Sequence, residues 1–122
     1  ILAAQLGYRE KAVEMYRRTA RLDLDNINND TEDGLHITSM AGSWLAMAHG
    51  FAGMRTVDGL SLSPFLPDGW AGYAYQFRYR GRVIRLSVKP GEAVLTLLEG
   101  EPLDIRLCGD ARSLADEIRH AL

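Results

Sequence analysis

A chain of 122 residues with 47% hydrophobic and 25% charged side chains can bury one modest core and has the balance of a globular domain. Its formal net charge of -2 leaves no basic field to draw it to nucleic acid or anionic lipid, and it carries no RNA-recognition or zinc-finger pattern. No run approaches the roughly 20 apolar residues needed to span a bilayer, and the single cysteine, Cys108, excludes an internal disulfide.

The first residues, Ile1-Leu2-Ala3-Ala4-Gln5-Leu6, read as the last turns of a helix whose start is missing, with Gly7 at its C′ position. No basic region precedes this run, so a signal peptide is not expected, and the chain is read as a fragment of a larger protein. From Arg9 to Leu22, Val13, Tyr16 and Ala20 fall at i, i+3 and i+7 among charged residues, which predicts an amphipathic surface helix. Arg17, Arg18 and Arg21 suit the negative end of its dipole. Asp23 to Gly34 is predicted to be a polar loop, dense in Asp and Asn. An EF-hand started at Asp23 or Asp25 would put Ile27 or Asn29 fifth, with neither glycine sixth nor glutamate twelfth, so no metal site is expected.

Ile37 to Phe51 is predicted to be a second helix, apolar round most of its circumference through Met40, Ala41, Trp44, Leu45, Met47, Ala48 and Phe51. Such a helix belongs in an interior, with Trp44 in the core, and Gly42, Ser43, Ala46 and Gly50 leave room for close neighbours. After Gly53 the period changes to two. Leu60 to Leu66 is a strand candidate stopped by Pro67-Asp68-Gly69. Tyr73, Tyr75, Phe77 and Tyr79, a turn at Gly81-Arg82, then Ile84, Leu86 and Val88 predict a hairpin. Pro90-Gly91 turns the chain into Ala93 to Leu98, and Leu103, Ile105 and Leu107 form a further strand. Leu114, Ile118 and Leu122 recur at helical spacing behind Asp110, which predicts a terminal helix or tail.

The run Thr31-Glu32-Asp33-Gly34-Leu35-His36-Ile37-Thr38-Ser39-Met40-Ala41-Gly42 carries the chemistry. It puts a histidine and two hydroxyls at the entry of a buried helix, where unpaired N–H groups and the positive dipole end suit an anion. Each residue has a plainer reading as well. Thr38 and Ser39 can be helix caps, and His36 a satisfied structural histidine. Glu32 and Asp33 read as solvated or capping carboxylates, and no G-x-S-x-G nucleophile motif is present.

This run, with Thr19-Ala20-Arg21-Leu22-Asp23-Leu24-Asp25-Asn26 and Asn28-Asn29-Asp30 before it and Gly50-Phe51-Ala52-Gly53-Met54-Arg55 and Pro64-Phe65-Leu66-Pro67 after it, resembles glycoside hydrolase family 65. That family holds maltose, trehalose and kojibiose phosphorylases. The resemblance runs to about Leu107 and implies an α+β fragment. Residues 1–53 would be the last helices of an (α/α)6 catalytic barrel, 54–109 a small antiparallel β-sandwich, and 110–122 the tail or short helix. It implies an inverting phosphorolysis of an α-linked glucose disaccharide by inorganic phosphate, a co-substrate rather than a cofactor, giving β-glucose 1-phosphate. Phosphate is already anionic and needs a cradle rather than a protein base. The phosphate-site roles carry over to His36, Thr38 and Ser39. The general acid is expected upstream, so no catalytic residue is assigned here and Glu32 is not given that role. A hydrolase of the same family and a purely structural or interaction module are the alternatives. The expected partners are the disaccharide and phosphate, with no nucleic acid and no membrane. The parent is expected to be a homo-oligomer in the cytoplasm, and the chain alone to be inactive and to self-associate through the Met40, Trp44 and Phe51 face.

Overall fold

A computed structural model describes residues 1–26, 29, 32 and 34–122. Of the predicted polar loop from Asp23 to Gly34, Ile27, Asn28, Asp30, Thr31 and Asp33 lie outside the described residues. The architecture is α+β, and the chain divides into two compact units, Ile1–Phe51 and Ala52–Leu122.

The first unit is helical. Helix α1 (Leu2–Gln5) ends as predicted at Gly7, whose φ is 82°. The Gly7 N–H donates to the Ala4 carbonyl at 3.1 Å and the Tyr8 N–H to the Ala3 carbonyl at 2.8 Å, the paired bonds of a Schellman motif. Helix α2 (Arg9–Ala20) follows, with Arg17 and Arg18 in its last turn and Arg21 as C-cap. Tyr16 meets Phe51 edge to face, ring centroids 5.2 Å apart at 68°.

Where a loop was expected from Asp23 onward, the chain makes one more helical turn, α3 (Leu22–Asp25). The fork of Arg21 grips both carboxylate oxygens of Asp25, four residues on, and holds that turn closed. Asn26 stops it in the left-handed region at φ 47°.

Helix α4 (Ile37–Leu45) continues as a π-helical stretch, Ala46–Phe51. Its end is buried through Ala48, Gly50 and Phe51, as an interior helix should be. Its beginning is not: Ile37 is 70% exposed, and Met40 and Trp44 are each 48% exposed. The apolar circumference read from the sequence is therefore covered at one end only, and Trp44 is half in solvent.

The second unit holds two sheets. One has the order β2-β3-β4-β7, with β2 Tyr73–Tyr79, β3 Arg82–Lys89, β4 Glu92–Glu99 and β7 Glu117–Ala121, all antiparallel. The other has the order β1-β5-β6, with β1 Leu60–Leu62, β5 Leu103–Leu107 and β6 Asp110–Leu114. Here β1 runs parallel to β5, an exception to the antiparallel pattern expected throughout. Strand β1 is shorter than the predicted 60–66: Ser63 donates its N–H to the Ala52 carbonyl, and Pro64 has no N–H to extend the ladder.

The β2–β3 hairpin forms as expected, but its corner is one residue earlier, at Arg80 and Gly81 with φ 46° and 78°. Two consecutive positive φ values match a type I′ turn, whose twist suits the strands. Ile84, Leu86, Val88, Ala93 and Leu95 fill the interior side of the larger sheet, and Leu62, Leu107 and Leu114 that of the smaller.

The terminal helix or tail expected at residues 110–122 is a pair of strands instead, β6 and β7. A spacing of four is one helical turn but also two strand repeats, so Leu114, Ile118 and Leu122 fit either structure. Cys108 and Gly109, with φ 53° and 92°, decide the outcome by folding β6 back on β5, where Leu107 pairs with Asp110.

Candidate functional site

The sequence places His36 at the foot of α4, and it occupies the N-cap position there. Its ring makes no cap bond to the turn that follows. It turns back to Asp23 on α3, thirteen residues earlier in the chain. Asp23 Oδ2 accepts the His36 backbone N–H at 3.0 Å, and Oδ1 lies 2.5 Å from the ring's Nδ1. Asp23 is 15% exposed at its side chain and His36 30%, so water weakens this pair only in part.

The electrostatics follow from the geometry. The hydrogen bond from His36 holds the Asp23 carboxyl below its ordinary value, against partial burial, which pushes it up. Asp23 is thus a carboxylate near neutral pH and can only accept. Both His36 groups facing it must donate, which puts a proton on Nδ1. The ring's chemistry toward any ligand then belongs to Nε2.

Thr38 and Ser39 do not hold the capping position, so their plainer reading as caps does not apply. The Ser39 and Met40 N–H groups both donate to the His36 carbonyl, at 2.9 and 3.2 Å. No bond from the Thr38 N–H is found among the described residues, as expected for the second position of a helix. The first turn of α4 contains no acidic residue, so the only carboxylate described at this helix start is Asp23, which the histidine engages.

The three predicted residues are not brought together equally. Ser39 and Asp23 line one cleft of about 250 Å³, with Thr19 and Ser43 as its other hydroxyls and Leu24 and Met40 among its apolar walls. Thr38 is exposed, and neither it nor His36 lines that cleft. Among the described residues no hydrogen bond joins the side chains of His36, Thr38 and Ser39 to one another. The Ser43 hydroxyl donates to the Ser39 carbonyl at 2.8 Å, which leaves the Ser39 hydroxyl out of that bond. Glu32 is exposed.

Asp23 is the residue that sequence reasoning missed. It lies among Asp25, Asp30, Glu32 and Asp33, and no local spacing distinguishes one carboxylate of that group from another. Only the extra helical turn α3 selects it.

Among the described residues no group of three or more His, Cys, Asp or Glu side chains could hold a metal ion. No helix among them is long and apolar enough to cross a membrane.

With this arrangement in view, comparison with known proteins is specific. Residues 54–114 match the C-terminal domain of glycosyl hydrolase family 65, and residues 1–45 match the family's central catalytic domain. The chain belongs to glycosyl hydrolase family 65. Among similar proteins of the family, maltose phosphorylase of Bacillus subtilis (strain 168) is 56% identical over 108 residues, covering 88% of this chain and 14% of that protein. Alpha,alpha-trehalose phosphorylase of Geobacillus stearothermophilus is 44% identical over 118 residues, covering 96% of this chain and 15% of that protein. A putative kojibiose phosphorylase from human microbiome aligns in structure with a TM-score of 0.91 at 26% identity, over 98% of this chain and 18% of that one. This family 65 chain therefore spans about a seventh of the length of the maltose phosphorylase it matches.

Proposed function

We propose that this chain is the C-terminal part of an inverting α-glucoside phosphorylase and supplies part of its phosphate site. On this reading α1 to α4 are the last helices of an (α/α)6 barrel, and the two sheets form the β-sandwich that follows it. The parent enzyme takes an α-linked glucose disaccharide and inorganic phosphate. An oxygen of phosphate forms a bond to the anomeric carbon while the glycosidic bond breaks. The leaving oxygen takes its proton from an acid outside these 122 residues. The products are β-glucose 1-phosphate and the released sugar, and no cofactor is required.

The observation that carries this reading is the orientation of His36. Its Nδ1 faces Asp23 at 2.5 Å at the foot of α4, so Nε2 is the nitrogen through which the ring meets an oxyanion, as a donor when the ring carries both protons, the form a neighbouring carboxylate favours. Thr38 adds the backbone N–H of the helix's second position and Ser39 its hydroxyl. Preorganised donors of this kind offset the charge that phosphate brings beside the sugar. The names of the similar proteins, maltose and trehalose phosphorylase, point to the same substrate class.

The test is cleavage of maltose and of trehalose by the full-length enzyme with and without inorganic phosphate. The expected result is cleavage only with phosphate, with β-glucose 1-phosphate as product. Release of free glucose at the same rate without phosphate would make the protein a hydrolase. In the same enzyme His36→Ala is expected to raise the KM for phosphate by about tenfold or more, the scale of losing one oxyanion donor.

A further inference from the structure

Among the described titratable side chains of the helical unit, Asp23 has a specific arrangement, with both carboxylate oxygens on His36, and no part so far in the reaction. We propose that Asp23 is a positioning residue: it holds the proton on Nδ1 and the direction of the His36 ring, and so sets the enzyme's affinity for phosphate. The inference rests on the phosphate-site reading given above and deepens it.

An unassisted histidine at this place would be loosely held. An imidazole on a helix N-cap can rotate about two side-chain bonds, and a neutral ring can carry its proton on either nitrogen. A ring that samples several orientations and both tautomers is a poor fixed donor. Both freedoms are removed here by one carboxylate. Oδ2 takes the backbone N–H of His36 at 3.0 Å and so fixes the main chain from which the ring springs. Oδ1 takes Nδ1 at 2.5 Å and so fixes the ring's rotation and its proton. Two bonds from one rigid, planar group define an orientation that one bond could not.

The carboxylate is itself held in place. It stands on α3, a turn closed by the fork of Arg21 on Asp25 and ended by the left-handed Asn26. The salt bridge beside it thereby acts at one remove on the histidine. Asp23 also lines the cleft that Ser39 lines, so a change at Asp23 alters the wall next to a second predicted phosphate ligand. The negative charge of Asp23 would repel phosphate if it faced the anion. It is engaged with the Nδ1 side of the ring instead, and the proton it keeps there offsets part of its field.

Asparagine is the informative replacement. Asp23→Asn keeps the shape and one accepting oxygen, so the backbone N–H of His36 can still be satisfied. Its neutral amide no longer favours a ring protonated on both nitrogens, so the positive charge behind an Nε2–H donor and the charge-assisted bond at Nδ1 are both lost.

The experiment is steady-state phosphorolysis of maltose or trehalose by the full-length enzyme carrying Asp23→Asn, His36→Ala or both. Expected for Asp23→Asn is a rise of about tenfold in the KM for phosphate, on the scale of losing one charge-assisted hydrogen bond. The KM for the disaccharide should stay within about twofold. If Asp23 acts through the ring, adding Asp23→Asn to His36→Ala should change the phosphate KM by less than about twofold, since the residue it orients is gone. A merely structural Asp23 would raise both KM values together, or add its full effect in the His36→Ala background, and either outcome overturns the proposal. Wild-type cleavage that needs no phosphate refutes the phosphorylase reading itself. Phosphate-dependent cleavage that His36→Ala impairs and Asp23→Asn does not refutes the role of Asp23 alone. Should Asp23→Asn reduce the yield of folded enzyme, protection of the folded remainder by inorganic phosphate in thermal unfolding gives the same comparison.

Discussion

A Cβ placed on Gly53 would stand 2.7 Å from the carbonyl oxygen of Ser63, in a backbone conformation with φ of 60°. The two segments are joined there by the bond from the Ser63 N–H to the Ala52 carbonyl, 3.1 Å long. Neither partner can move without losing that bond, because the blocking atom is main chain. Gly53→Ala is therefore expected to destabilise the β unit by about 1–3 kcal/mol, through steric overlap together with a left-handed φ on a residue with a side chain. Urea unfolding of the variant against wild type measures it.

The Asp23–His36 pair also makes a prediction about acid. A carboxyl whose pKa is lowered by folding stabilises the native state above its unfolded value of about 3.9, and that contribution fades as pH falls through the lower folded value. Asp23 is such a group. Wild type should be more stable than Asp23→Asn at about pH 5, and the gap should narrow steadily towards about pH 2. Denaturant titrations at several pH values below about 5 measure the gap; a gap that widens with acid would contradict the assignment.

Tyr79 presents the opposite case, a polar group whose removal should help. Its hydroxyl is buried and has no hydrogen-bond partner among the described residues, while Arg80 stacks over the ring at 5.2 Å. Tyr79→Phe keeps the ring and its cation–π contact and removes the orphaned hydroxyl. The expected change is between zero and about 1 kcal/mol of added stability, read from thermal unfolding.

How far the sequence revealed this molecule depends on the range of the interaction concerned. Gly7 ended a helix and Tyr73 to Val88 made a hairpin because these features are set by neighbouring residues. Residues 110–122 were misread because Leu114, Ile118 and Leu122 satisfy two periodicities at once, and the turn at Cys108 and Gly109 settles the choice. At the site, His36 could be picked out by its place before a helix. Asp23 could not, since its partner is thirteen residues away and several other carboxylates offered the same chemistry. Ser39 joined Asp23 along one cleft, while Thr38, one residue earlier, did not; a helical turn rotates neighbours to different sides by about 100°.

The open side of α4 predicts the behaviour of the isolated 122 residues. Ile37, Met40, Trp44 and Leu45 are exposed on a single helix, more apolar surface than such a segment leaves in water without a partner. The isolated chain is expected to associate as its concentration rises, by light scattering. Met40→Glu with Trp44→Glu should shift it towards monomer. A monomer at every concentration would remove this face as a contact surface.

The last strand has a consequence for handling the protein. Residues Glu117–Ala121 pair with β4 along Glu92–Thr96, beyond the stretch that matches the family's C-terminal domain, which stops at residue 114. Strand β7 is thus the rim of the larger sheet, and it is studded with charge: Arg119 bonds Glu92 at 3.1 Å and Glu117 at 2.9 Å. A charged rim discourages a foreign strand from docking, whereas trimming the chain at the end of the family match would bare the row of amides and carbonyls on β4. Such a shortened chain is expected to associate edge to edge, and light scattering of residues 1–114 against residues 1–122 would show it.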